Sequence, residues 1–166
     1  PPGFFWLKIA RGVRAPRGRG SAPNHPEADM AELQEFVEAQ DSHWPQIFAE
    51  LRDGRKVTHW IWYVFPQLET LGRSGMARHF GLSGLDEAAS YLAHPVLGPR
   101  LIEVSEILLT HDGKTPEAIL GHVDALKVRS CMTLFESVSG APPVFGRVLD
   151  HLYESERCPV TRDTLA

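Results

Sequence analysis

The sequence predicts a mainly α-helical, compact single domain of about seven helices with no significant sheet. Three observations carry that expectation. Apolar residues recur at three- and four-residue spacing through most of the chain after Met30. Glycines, prolines and capping residues punctuate that pattern at intervals suited to short helices. Only one strand-like run is present, and it has no second run to pair with. A length of 166 residues suits one domain with its own core, and 43% hydrophobic with 23% charged residues is an ordinary globular composition.

Residues 1–29 are expected to be a disordered or non-native extension, and residues 30–166 a single helical domain. Pro1, Pro2, Pro16, Pro23 and Pro26 alternate with Gly3, Gly12, Gly18 and Gly20, a composition that does not sustain regular structure, and Met30 reads as a natural start. The first helix then follows, with Leu33, Phe36 and Val37 facing the core and Glu32, Glu35 and Glu38 opposite, to about Gln40. Asp41 or Ser42 is expected to cap a second helix with Pro45 in its first turn and Gly54 at its end. His59 to Phe65 fits either a buried strand or a short helix. The absence of a pairing partner favours the helix, stopped by Pro66.

Ser74 is placed to cap a short helix through Met76 to Phe80. Leu85, Ala88 and Leu92 share the face of the next, which His94-Pro95 ends. Leu97, Leu101, Val104 and Leu108 mark a longer helix, and Thr115-Pro116-Glu117 opens a short one closed by Gly121. Asp124 is expected to cap a helix with Leu126, Met132, Phe135 and Val138 inside. Pro142 and Pro143 introduce a last helix through Val144, Val148, Leu149 and Leu152, and the tail from Arg157 reads as irregular. No repeat of 20 to 50 residues emerges.

Several function classes are disfavoured. The longest apolar run, Trp60 to Phe65, is far shorter than the roughly 20 residues needed to span a bilayer, so no membrane association is expected. Cys131 and Cys158 stand far apart without a C-x-x-C pattern, which predicts neither a disulfide framework nor a thiolate metal site and suits a reducing, cytoplasmic setting. The histidines form no H-x-x-x-H pattern, so no metal is expected, and no cofactor motif is present. The net charge is -4. The first twenty residues carry five basic groups and no acid, which leaves 12 basic against 21 acidic residues in the remainder, a balance of -9 that argues against nucleic acid.

Four stretches are distinctive: His59-Trp60-Ile61-Trp62-Tyr63-Val64-Phe65-Pro66-Gln67, Leu71-Gly72-Arg73-Ser74, Tyr91-Leu92-Ala93-His94-Pro95-Val96-Leu97-Gly98-Pro99-Arg100-Leu101, and Lys127-Val128-Arg129-Ser130-Cys131-Met132-Thr133-Leu134-Phe135. Together they resemble the bacterial family catalogued as domain of unknown function 1810, over nearly everything from Leu33 onward. The resemblance implies a mainly α-helical fold and assigns no activity to individual positions. Against the family pattern, Cys131 stands where serine is usual, Val128 where leucine is usual, and Gly84 replaces a capping serine.

The candidate site is read from residue chemistry. The aromatic strip can stack a ring or fill the core. Trp62 and Gln67 are its candidate ligand contacts, Gln67 because an amide at an element's end reads a ligand edge or satisfies backbone. Arg73 and Ser74, at a glycine-flanked helix start, suit an anion, or Ser74 merely caps. Arg100, Lys127 and Ser130 add positive charge and polarity, or serve ion pairs between helices. His59 and His94 are the candidates for proton transfer. The reading this favours is a small-molecule-binding protein or enzyme acting on a phosphate-bearing or aromatic, nucleotide-like molecule. The alternative is a non-catalytic helical interaction module.

Overall fold

The structure, a computed structural model, describes residues 26–166, with side chains from Glu32 onward. The irregular extension expected over the residues before Pro26 lies outside that range. Ten α-helices are present among the described residues, against the seven or so expected: α1 Pro26–Asp41, α2 Trp44–Asp53, α3 Ile61–Val64, α4 Gly75–His79, α5 Leu85–Ala93, α6 Leu97–Leu109, α7 Pro116–Leu120, α8 His122–Glu136, α9 Val144–Leu152 and α10 Pro159–Leu165. Helix α10 occupies a tail expected to be irregular, whereas the others, the one-turn α3 included, lie where the sequence pattern places a helix. Pro159 opens α10 at its first position, where a missing N–H costs nothing. Helix α1 already runs from Pro26, so Met30 lies within it rather than at its start.

No strand forms among the described residues. The nearest approach is an isolated parallel bridge between Leu68 and Leu82, flanking a single 3-10 turn at Glu69–Leu71. Gly81 makes this bridge possible, since a side chain there would collide with the backbone of Glu69.

Helix α8 is the centre of the array and packs against α5, α7, α9 and α10. Its residues from Ser130 to Phe135 are all buried, which is why it shows little amphipathic pattern in sequence. Its inward face is built on Ala125, Val128, Met132 and Phe135, whereas Leu126, expected inside, is 47% exposed. Around it α6 touches α2, α5 and α9, and α1 touches α3 and α5. One hydrophobic cluster extends from Leu33 to Leu149. Its aromatic spine runs through edge and tilted contacts: Tyr63–Phe80 at 5.5 Å, Phe80–Phe36 at 5.1 Å, Phe36–Tyr91 at 5.3 Å, Tyr91–Phe135 at 5.4 Å and Phe135–Phe145 at 5.7 Å.

Two caps differ from expectation. Helix α2 starts after His43 without a side-chain cap, and the Ser42 hydroxyl instead donates back to the Glu38 carbonyl at 3.0 Å. Helix α8 starts after Gly121, so Asp124 falls in its first turn and is free to pair elsewhere. At Gly84, which offers no capping side chain, Glu87 reaches back to accept from the Ser83 N–H at 2.8 Å. Ser74 and Thr115 cap as expected, accepting from the N–H groups of Ala77 and Ala118, each at 3.1 Å.

Candidate functional site

Helix α2 ends at Gly54, whose left-handed backbone (φ 67°) turns the chain sharply. The following loop is held at both sides. The Lys56 N–H donates to the Ile119 carbonyl at 2.7 Å. Glu50, on the last turn of α2, accepts from the Thr58 N–H and hydroxyl at 2.8 Å each and from the Trp60 indole N–H at 2.5 Å. Burial pushes the Glu50 carboxyl up, yet the hydrogen bonds from Trp60, Thr58 and the Val57 backbone outweigh it and hold the group below the usual carboxylate range.

This loop delivers Lys56 to α8. Its ammonium lies 2.8 Å from Asp124, donates to the Thr58 carbonyl at 2.6 Å and sits 4.9 Å from the Trp60 ring centre. Lys127 stands one turn further along α8, 3.5 Å from the same Asp124 and 5.4 Å from the ring centre of Trp62. Two lysines therefore share one carboxylate, each over the face of one indole. Trp60 is buried, whereas Trp62 is half-buried.

On the other side of α3, Gln40 is 1% exposed and donates to the Tyr63 carbonyl at 2.7 Å and the Tyr91 hydroxyl at 3.1 Å. Its oxygen accepts from Arg100 at 3.4 Å. Arg100 also pairs with Asp41 at 2.7 Å and covers the Trp44 ring at 4.6 Å, so it is engaged in tying α6 to the α1–α2 junction. Burial pushes the Tyr63 phenol up to about 12 and raises Tyr91 further.

The remaining candidates divide. Gln67 gives its carbonyl to the Leu82 N–H at 2.9 Å. The side chains of Gln67 and Arg73 make no hydrogen bond or ion pair among the described residues, the first half-buried and the second exposed. The Arg73 loop is itself held by Arg78, which donates to the carbonyls of Gly72 and Arg73 at 3.4 and 3.1 Å. The Ser130 hydroxyl lies 3.1 Å from the Leu126 carbonyl and 3.3 Å from the Cys158 sulfur, inside the α8–α10 contact. His59 is exposed. His94 is 6% exposed, and its Nδ1 accepts from the Val96 and Leu97 N–H groups at 3.1 and 3.3 Å. It caps the start of α6 instead of bonding the last carbonyls of α5. Desolvation lowers its basicity, and an accepting Nδ1 requires the neutral ring.

Gln40, Glu50 and Asp124 are not among the site candidates read from the sequence, Asp124 being expected there only as a helix cap. The signal for two of them is nonetheless there: Gln40 extends the core face of Phe36, and Glu50 sits between the buried Ile47 and Leu51. A polar group on an apolar face is worth asking about, because it must find partners when buried. Among the described residues no group of three or more His, Cys, Asp or Glu side chains comes together to hold a metal. No helix among them is long and apolar enough to cross a membrane.

The family model described as Protein of unknown function (DUF1810) matches residues 30–165. The chain belongs to this family. A similar solved structure is the crystal structure of a conserved hypothetical protein from Mycobacterium tuberculosis, 41% identical, covering 81% of this chain and 96% of that one with a TM-score of 0.79. No curated protein matches.

Proposed function

We propose that this DUF1810 protein binds a small molecule carrying both a ring and a phosphate, nucleotide-like in chemistry, with Trp62 as the stacking surface. Lys127, Gln67 and Arg73 supply its polar contacts. The observation that carries the reading is the exposure pattern of the aromatic strip. Trp60, Ile61, Tyr63, Val64 and Phe65 are buried, while Trp62 is the one aromatic of the strip that is only partly buried, with an ammonium 5.4 Å from its ring centre. A partly open indole beside a cation suits a ligand that joins a π surface to an anion. The free amide of Gln67 and guanidinium of Arg73 support the same chemistry. Arg100, Ser74 and Ser130 act in this reading as scaffold, because each is engaged within the domain. His94 is engaged likewise, which leaves His59, of the two candidates, open to proton transfer. Two free, buried thiols, Cys131 and Cys158, suit the cytoplasmic setting we assign.

Thermal shift with AMP and with adenosine tests this. A rise in Tm with AMP that is lost in Trp62→Ala and weakened in Lys127→Gln supports it. No shift with either compound at millimolar concentration overturns it. That outcome would leave the interaction-module reading, which one observation favours: Val57, Val123 and Leu126 are 66%, 61% and 47% exposed beside the Lys56–Asp124 pair.

A further inference from the structure

Lys56 and Lys127 hold Asp124 unequally. Lys56 is 6% exposed and approaches the carboxylate to 2.8 Å, with the Thr58 carbonyl and the Trp60 face as further partners. Lys127 is 23% exposed and stands at 3.5 Å, and its other partner is the half-buried Trp62. Both ammonium groups share the one carboxylate of Asp124, while Glu50 is taken up by Thr58 and the Trp60 edge. An arriving anion must therefore compete for a lysine that already has a counter-ion. The Lys56–Asp124 contact, shorter and more buried, is the one that resists exchange. The Lys127–Asp124 contact, longer and more open to water, is the one that gives way, because exposed pairs are held weakly.

We propose that Asp124 is a built-in stand-in for the ligand's phosphate: in the free protein it occupies Lys127, and on binding the phosphate takes its place while Lys56 retains the carboxylate. The inference rests on the ligand reading above and adds a selectivity rule to it. A ring without an anion cannot displace Asp124, so it gains nothing from Lys127. A phosphate without a ring forfeits the Trp62 face. Only a molecule with both is repaid for breaking the ion pair, and Asp124 thereby sets how strongly the site prefers nucleotide over nucleoside.

The test is a titration of Trp fluorescence with AMP, adenosine and inorganic phosphate on the full chain, wild type against Asp124→Asn. Removing the competing carboxylate should tighten AMP about two- to fivefold, the range set by a weak ion pair, and leave adenosine unchanged. Glu117→Gln, which removes an exposed acid on α7 that no ion pair ties to either lysine, controls for net charge and should leave AMP affinity within about twofold. Lys127→Gln should abolish the preference for AMP over adenosine whether or not Asp124 is present. Equal AMP affinity in wild type and Asp124→Asn, or an equal gain for Glu117→Gln, overturns the exchange while leaving the ligand reading intact. Absence of AMP binding to wild type and to Asp124→Asn alike overturns both.

Discussion

The Glu50 carboxylate accepts the Trp60 indole N–H at 2.5 Å, so the most deeply buried tryptophan of the strip is anchored by an acid from the preceding helix. The same carboxylate also organises Thr58, which makes one side chain responsible for the path of the α2–α3 loop and, through it, for where Lys56 meets α8.

Glu50→Gln leaves an acceptor for Thr58 but turns an amide N–H toward the indole N–H or forfeits one of the three bonds. Urea unfolding at neutral pH should show a loss of about 1–3 kcal/mol. Because the folded carboxyl is held below its ordinary value, its contribution is complete above the usual carboxylate range and fades as pH falls through the lowered value. The gap between wild type and variant should therefore narrow on acidification. A gap unchanged at pH 3 would place its origin in packing instead of charge.

His94→Ala should cost about 1 kcal/mol, the usual worth of a helix cap, and His94→Asn should recover most of it, since an amide oxygen can accept from the same N–H groups. Burial lowers the folded His94 basicity, so the unfolded chain takes up the proton first as pH drops below the ordinary histidine range. Wild-type stability should fall across that window and level off below the folded value. The asparagine variant should lack this component, which Tm measured at intervals of pH will reveal.

Trp60→Ala and Phe65→Ala should each cost about 3–5 kcal/mol, since both side chains are 1% exposed and their rings lie 6.3 Å apart in one cluster. Trp62→Ala should cost less, because its ring is only partly buried. Comparable losses at all three positions would mean that Trp62 belongs to the core.

Gly98→Ala should be among the most damaging single-methyl additions. A methyl group at this first-turn position of α6 would overlap the Leu92 carbonyl oxygen of α5, a backbone atom that cannot rotate away. Denaturant melts should show a loss above about 2 kcal/mol. A neutral result would require the two helices to separate freely at His94-Pro95.

The helices were legible in the sequence wherever one face is apolar and an end is marked. Helix α6 shows its Leu97, Leu101, Val104 and Leu108 stripe, and Thr115-Pro116 announces α7. What escaped was the outcome where neighbours decide. Helix α8 is surrounded, so its pattern gives no face, and Leu126 was placed inside when Ala125 holds that position. The tail after Arg157 carries too few apolar residues to signal a helix, and α10 forms by docking on α8. At the candidate site, the residue types at Trp62, Gln67, Arg73 and Lys127 were legible. The sharing of Asp124 was not, because Lys56 and Asp124 are brought together only by the Gly54 turn and the bond from Lys56 to Ile119.

That docked tail has a consequence for how the chain is made. Thr133 of α8 waits for the Cys158 N–H, which it accepts at 3.0 Å, and Ser130 waits for the Cys158 sulfur. Synthesis runs from the N-terminus, so α8 leaves the ribosome with these hydroxyls uncovered while α9 is already available to pack on it. Residues translated after α9 thus close a polar seam on a helix whose other sides are already settled. A stop codon at Arg157 would release a protein with most of its apolar core assembled and that seam open to water.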